Sequence, residues 1–159
     1  MNDKKPWFET VVLPALLRHA RVTYGLAMRR ALAEAGFDDI PKNGMYIIGG
    51  MTPETREIPL GQLTKELRVS KQAAGQLVDT LVLRGYLKRD EDPEDRRKSN
   101  IILTKRGRAA AEVQATARKK IDTQLIDRVG KEDIQRTRRT LAALIDMGHE
   151  NEQADAGEN

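Results

Sequence analysis

Cysteine is absent from the 159-residue sequence. This excludes a disulfide framework, a thiolate-ligated metal and a cysteine redox switch together. Only two histidines are present, and neither a metal-ligand spacing nor a phosphate-binding glycine loop occurs. Nucleophilic and metal-assisted chemistry therefore lack their usual residues, so we expect a protein that is not an enzyme and that uses no metal and no cofactor.

Long apolar runs are also missing. The longest run, from Val11 to Leu17, is interrupted by Pro14 and ends at Arg18, so it is too short to span a bilayer. The charged Glu9 just upstream argues against a signal-peptide core. Aromatic residues make up only 4% of the chain, against 39% hydrophobic and 33% charged residues. This composition is typical of a soluble, helix-rich protein with a highly charged surface. Together with the short apolar runs, it leads us to expect a cytoplasmic protein with no membrane partner.

The charge balance is basic and uneven. The formal net charge is +4, a sign compatible with a polyanionic partner. Residues 148–159 contain no Lys or Arg, and this composition predicts a disordered acidic tail. The folded part is therefore more basic than the total suggests.

The N-terminal third has helical spacing. Apolar residues recur from Pro6 to Ala35, and Gly36 supplies a stop, so we predict one long helix that is kinked or started at Pro14. A short second helix is predicted from a cap at residues 39–41 through Ile48, closed by two glycines. Residues 52–59 read as a connector.

A helix-turn-helix pattern follows. Leu60, Leu63 and Leu67 lie on one face of a short helix, Ser70 is a ready N-cap, and a second helix is predicted from Lys71 to Arg84. Gly85 ends this second helix. Its predicted apolar face consists of Ala74, Leu77, Val78 and Leu81.

Two strand-like segments come next, residues 86–89 and 100–103, on either side of a polar stretch. A helix capped by Thr104 is predicted to run to Val129, and Gly130 separates it from a last helix. The fold class is therefore mainly α with a small β-hairpin (α+β), a winged helix-turn-helix with helices at both ends.

The hairpin loop carries the sequence DPEDRRK, which places Arg96, Arg97 and Lys98 where a wing tip reaches a duplex backbone or narrow minor groove. Asp95 is close enough to hold Arg97 in one orientation by a charge-assisted hydrogen bond. A solvated loop without a partner is the alternative. A calcium-binding loop is excluded, since the required glycine and bidentate glutamate are missing.

The helix after Ser70 has the features of a recognition helix. Gln72 or Gln76 could pair with adenine in the major groove, and Lys71 could reach guanine or a phosphate. An ordinary amphipathic helix with a polar surface is the alternative. Gly75 lies mid-helix, where glycine is unfavourable, and it indicates a close approach of either DNA or a neighbouring helix.

Two segments, LTKELRVSKQAAGQLVDTLVLRGYLKR and DPEDRRKSNIILTKRG, resemble the MarR (multiple antibiotic resistance regulator) family of winged-helix transcription factors. The specific likeness covers about residues 60–107. It implies a homodimer in which the first, fifth and sixth helices interlock, so that residues 1–36 and 104–147 form a dimerisation region. Residues 37–103 then form the lobe that binds double-stranded, pseudo-palindromic operator DNA.

The resemblance also implies roles for particular residues. Ser70, Lys71, Gln72 and Gln76 would lie on the groove-facing surface, and Arg97 would be the wing arginine steadied by Asp95. Where family members often carry Ser or Thr followed by Arg, this chain has Gly75 and Gln76. Its operator preference therefore cannot be taken from the family.

Many family members are repressors released by a small aromatic or lipophilic effector, and the resemblance implies such a mechanism here. Trp7, His19 and Tyr24 are candidate effector-binding residues, although aromatic residues at helical spacing are more often core. A winged helix used only to bind other proteins is the rival function. The cations at positions 71 and 96–98 favour DNA over that rival.

Overall fold

The computed structural model describes residues 5–51, 58–91 and 99–157. A short 3-10 turn, Trp7–Glu9, precedes helix α1, Leu13–Glu34. Pro14 lies in the first turn of α1, where its missing N–H costs no hydrogen bond, so the helix starts one residue before this proline and is not kinked by it. Gly36 ends α1 as predicted, with a φ of +81° that disfavours other residues.

Helix α2, Gly44–Gly50, begins later than the sequence predicts. The preceding residues form a turn in which the Gly44 amide donates to the Pro41 carbonyl at 2.8 Å. Gly49 and Gly50 belong to α2 and do not close it. Gly49 has a packing role instead, because a Cβ there would lie 2.6 Å from Oε1 of Gln114.

The helix-turn-helix is present as predicted. Helix α3 spans Leu60–Leu67 and α4 spans Lys71–Leu83. Arg68, in the turn between them, adopts a left-handed backbone conformation with φ 51°. Gly85, at φ +76°, ends α4.

A three-stranded antiparallel sheet forms the wing, in the order β1 (Ile58–Pro59), β3 (Ser99–Leu103), β2 (Leu87–Glu91). The β2–β3 hairpin was predicted from the sequence. Its register runs from Leu87 opposite Leu103 to Glu91 opposite Ser99. Strand β1 was missed, since a two-residue strand containing proline carries almost no sequence signal, and proline is tolerated there because β1 is an edge strand.

Helix α5 spans Lys105–Gly157, with non-helical torsions at Gly130 (φ 82°, ψ 161°). This break separates the two C-terminal helices predicted from the sequence. The prediction of a disordered tail over 148–159 is corrected, because residues 148–157 are helical. That stretch has no proline and contains Ala, Glu and Gln, which favour helix, and this outweighed its acidic composition.

The chain divides into two compact units, Met1–Arg118 and Lys119–Asn159. The first unit holds the hydrophobic core, which joins the end of α1, α2, α4, the sheet and the first turns of α5. The core side chains are Leu32, Ile40, Met45, Ile47, Ile48, Met51, Val78, Leu81, Tyr86, Leu87, Ile101, Leu103 and Ala110.

None of the described helices has the length and apolar character needed to cross a membrane.

The second unit is helical on both sides of Gly130 over its described residues. Arg136 forms an intrahelical ion pair with Glu132 at 2.5 Å and a longer one with Asp133 at 3.5 Å. Large apolar side chains are exposed in this unit, namely Leu125, Val129, Leu144, Ile145 and Met147.

Candidate nucleic-acid interface

The N-terminus of α4 is fixed by its cap. The hydroxyl of Ser70 accepts a hydrogen bond from the Ala73 amide at 3.1 Å, which satisfies one of the free amides at the helix start. Ser70 is exposed, so the predicted cap and the predicted surface position are both observed. The exposed Lys71 begins the helix directly after this cap.

Helix α4 presents two different faces. Ala74, Val78 and Leu81 are fully buried, which confirms the predicted apolar face and anchors the helix in the core. Lys71, Gln72 and Gln76 are exposed on the opposite side. These three predicted site residues therefore share one solvent-facing surface, which with Gly75 and Asp79 we call the α4 face.

Gly75 lies within the α4 face and is half-buried. No neighbouring group among the described residues lies within 4 Å of the position a Cβ would take there. Of the two explanations that the sequence left open for this glycine, a neighbouring helix of the same chain finds no support. The other explanation, the close approach of DNA to this helix, is compatible with the open space at Gly75.

The α4 face also contains an ion pair that the sequence pattern does not predict. Asp79 of α4 forms an ion pair with Arg89 of β2, in which Nη2 of Arg89 donates a hydrogen bond to Oδ1 of Asp79 at 2.5 Å. The carboxylate of Asp79 is 68% exposed, so without Arg89 it would place an uncompensated negative charge beside Gly75 and Gln76, one turn earlier on the helix. Only the antiparallel return of β2 past α4 brings these two residues together, and no local sequence signal marks it.

The predicted wing cations Arg96, Arg97 and Lys98, and the orienting Asp95, lie outside the described residues. In the sequence they fall between Glu91 and Ser99, whose Cα atoms are partners across the hairpin.

A polar cluster joins the end of α4 to the rest of the first unit. The Tyr86 hydroxyl donates to Oδ1 of Asp39, and Arg106 donates to that hydroxyl at 2.9 Å and to the same carboxylate at 3.3 Å. The hydrogen bond from Tyr86 and the charge of Arg106 lower the pKa of Asp39 below its ordinary value. Burial and the hydrogen bond to Asp39 raise the pKa of Tyr86, so the phenol stays protonated at neutral pH.

The candidate effector residues lie at the N-terminal end of the chain. Trp7, in the 3-10 turn, is 70% exposed and meets Phe8 edge-on with ring centroids 6.0 Å apart. On α1, His19 is exposed and Tyr24 is half-buried. Trp7 and His19 are thus not part of the core of this chain.

Solved structures share this architecture. FabT of Streptococcus pneumoniae in complex with DNA has a TM-score of 0.74 at 22% identity, over 87% of this chain and 96% of that one. MepR of Staphylococcus aureus in its DNA-binding conformation has a TM-score of 0.71 at 17% identity, over 86% and 98%. Apo MarR of E. coli has a TM-score of 0.62 at 19% identity, over 84% and 97%.

Residues 47–98 match the model of the MarR family. Over these residues the chain is similar to the MarR family, and over most of its length it shares the fold of the solved structures above. Comparison with curated proteins finds no match. The MarR match runs from α2 through α3, α4 and β2, so it contains all the residues of the α4 face.

Proposed function

We propose that this protein belongs to the MarR family and is a dimeric, sequence-specific DNA-binding transcriptional regulator. The observation that carries the proposal is the α4 face. Lys71, Gln72 and Gln76 project into solvent from a helix whose opposite side is buried in the core. Gly75 lies among them, and no described group is within 4 Å of the position that its Cβ would take. A cation and two amides are the groups that read phosphates and adenine edges in a major groove.

The distribution of charge supports the same function. The first unit contains 21 Lys and Arg against 15 Asp and Glu, a formal charge of +6, whereas the second unit is formally −2. Positive charge is therefore concentrated in the unit that carries α4 and the wing. Such a distribution favours contact with a phosphate backbone.

Each residue has a proposed role. Lys71 contacts a phosphate or guanine, Gln72 and Gln76 contact base edges, and Gly75 lets the helix approach the groove closely. Arg97, with Arg96 and Lys98, contacts the backbone or minor groove from the wing and is oriented by Asp95. Arg89 neutralises Asp79, so that the Asp79 carboxylate does not face the phosphates unpaired.

Two copies are proposed to bind one operator. A dimer places two α4 helices about 34–36 Å apart, one turn of B-form DNA, over the halves of a pseudo-palindrome. The exposed apolar side chains of α1, including Leu13, Val22 and Leu26, and those of the second unit support burial against a partner copy.

We also propose that the protein represses transcription and that a small effector releases it from the operator. This proposal rests on the family resemblance and on the exposed Trp7 and half-buried Tyr24, aromatic side chains available to a small aromatic or lipophilic compound. A compound releases the operator only if it binds the DNA-free arrangement more tightly than the DNA-bound one. Since the proposed partner is genomic DNA, the proposed location is the cytoplasm.

The test begins with selection of duplexes from a random-sequence library by the purified full chain, followed by affinity measurements at several salt concentrations. Lys71→Ala is expected to reduce the slope of log K against log[salt] by about one, because one phosphate contact is lost. Lys131→Ala, in the second unit, removes the same charge elsewhere and should leave the slope unchanged.

Base reading and the wing are tested separately with the selected duplex. Gln72→Ala and Gln76→Ala should narrow the gap between selected and random duplexes, whereas Arg97→Ala should lower affinity for both by about tenfold or more. Equal binding of selected and random duplexes by the wild type would contradict sequence-specific recognition. Absence of duplex binding, together with capture of a protein partner, would favour the rival protein-binding function.

A further inference from the structure

Three separate segments meet at the Tyr86 side chain, which is fully buried. They are the α1–α2 connection, the end of α4 with the start of β2, and the first turn of α5. We call the five residues involved the Tyr86 cluster, consisting of Phe37, Asp39, Arg84, Tyr86 and Arg106.

Each polar side chain of the cluster contacts a residue of another segment. Tyr86 donates its hydroxyl hydrogen to Asp39 and accepts from Arg106, while Arg84 donates to the main-chain carbonyl of Asp39. The guanidinium of Arg106 also lies over two rings, 4.6 Å from the centroid of Tyr86 and 5.5 Å from that of Phe37. The cluster therefore combines directional hydrogen bonds with cation–π contacts.

The backbone of Tyr86 ties the end of α4 to the start of α5. Its amide donates to the Leu81 carbonyl at 2.9 Å and the Gly85 amide donates to Val82 at 2.9 Å, which together close α4 in a Schellman motif. The Tyr86 carbonyl accepts from the Thr104 amide at 3.0 Å. Gly107 packs so closely that a Cβ there would lie 2.1 Å from this carbonyl.

We propose that the Tyr86 cluster fixes the orientation of α4 relative to the first turn of α5 and thereby determines which half-site spacing the protein accepts. This inference rests on the proposed function, because it requires two α4 helices on one duplex. The separation of those helices depends on every joint between α4 and the dimer contact, and the junction at Tyr86 is the first of these joints.

A positioning role and a purely stabilising role predict different outcomes. Loss of stability alone lowers the active fraction and weakens all duplexes equally. Loosening of the α4 orientation weakens discrimination between spacings, because a more mobile α4 reaches a misplaced half-site with a smaller free-energy penalty. Spacing preference is therefore the informative measurement.

The experiment uses the full chain and the duplex selected by the wild type, with the distance between half-sites lengthened or shortened by one and two base pairs. Tyr86→Phe keeps the buried ring and removes the hydroxyl. Asp39→Asn keeps the shape and removes the charge, so it serves as a second, independent variant. Tyr46→Phe is the matched control, because the Tyr46 side chain is exposed, its ring faces Arg21, and it takes no part in the hydrogen bonds described for the Tyr86 cluster.

The wild type and Tyr46→Phe are expected to show the same preference for the selected spacing. In Tyr86→Phe and Asp39→Asn this preference should fall by about threefold or more, the scale of one net hydrogen bond. Affinity for a duplex with a single half-site should be unchanged. An unaltered spacing preference in both folded variants would overturn the proposal, whereas failure of the wild type to bind any duplex would overturn the proposed function itself.

Discussion

Gly75 and Gly107 show how one residue type serves opposite purposes in the same unit. Gly107 lies against the backbone of Tyr86, so the fold itself requires the absence of a side chain there. Gly75 lies in open space, and the fold makes no such demand. Substituting each by alanine therefore separates a requirement of folding from a requirement of function.

Gly107→Ala is expected to destabilise the protein strongly, by about 3 kcal/mol or more, because the new methyl group would overlap a main-chain carbonyl that cannot move alone. The measurement is urea unfolding followed by circular dichroism. Wild-type stability in this variant would show that the contact between α5 and Tyr86 is looser than described.

Gly75→Ala should instead raise the free energy of unfolding by up to about 1 kcal/mol, because alanine favours helix and meets no neighbour. The same variant should bind the selected duplex more weakly than the wild type, since the methyl group keeps the α4 face away from the groove. Thermal melting and duplex affinity are measured on one preparation. Increased stability with undiminished affinity would remove Gly75 from the proposed interface.

Asp39 provides a pH test at the same scale. Its pKa is lowered from 3.8, so its contribution to stability is present above that value and is lost as the pH falls through the lower, folded-state pKa. Asp39→Asn lacks this contribution at every pH. The difference in stability between wild type and variant should therefore shrink as the pH falls below about 4, and a difference that stays constant would argue against an ionised Asp39 in the cluster.

At the scale of elements, helix boundaries followed local rules wherever a cap or a left-handed glycine was present. Ser70 and Thr104 start α4 and α5, and Gly36 and Gly85 end α1 and α4, as predicted. The rules failed where contacts distant in the sequence decided the outcome. Gly49 was assigned as a helix stop, whereas it belongs to α2 and makes room for Gln114.

The cap of α4 can be tested directly. Ser70→Ala should cost about 1 kcal/mol of stability, because the Ala73 amide loses its acceptor. Ser70→Asp restores an acceptor and should recover most of the loss. Chemical unfolding of the three proteins gives the comparison, and equal stability of the alanine variant would show that the cap contributes nothing in solution.

Around the α4 face, too, local features were predicted from the sequence and contacts between distant residues were not. The exposure of Lys71, Gln72 and Gln76 follows from helical periodicity and was predicted. The pairs Asp79–Arg89 and Asp39–Tyr86 were not predicted, because their members are 10 and 47 residues apart and no local period relates them. Their proximity depends on how strand β2 and the α1–α2 connection pack against α4.

At the scale of the whole molecule, the proposed dimer has its own prediction. Deleting residues 131–147 should yield monomers, because the deletion removes exposed apolar side chains of the second unit, among them Leu144 and Ile145. Light scattering measures the mass. Deleting residues 148–159 instead is the control and should leave the dimer intact, and a stable dimer after the first deletion would contradict the proposed dimerisation region.

The sequence by itself determined the order of the helices, the hairpin and the polar surface of α4, because caps, glycine stops and periodicity act over a few neighbouring residues. Tertiary structure alone decided the third strand of the sheet, the ion pair that neutralises Asp79 and the cluster around Tyr86. Those features require segments far apart in the chain to be brought within a few ångströms, and burial of the shared core supplies the free energy that does so.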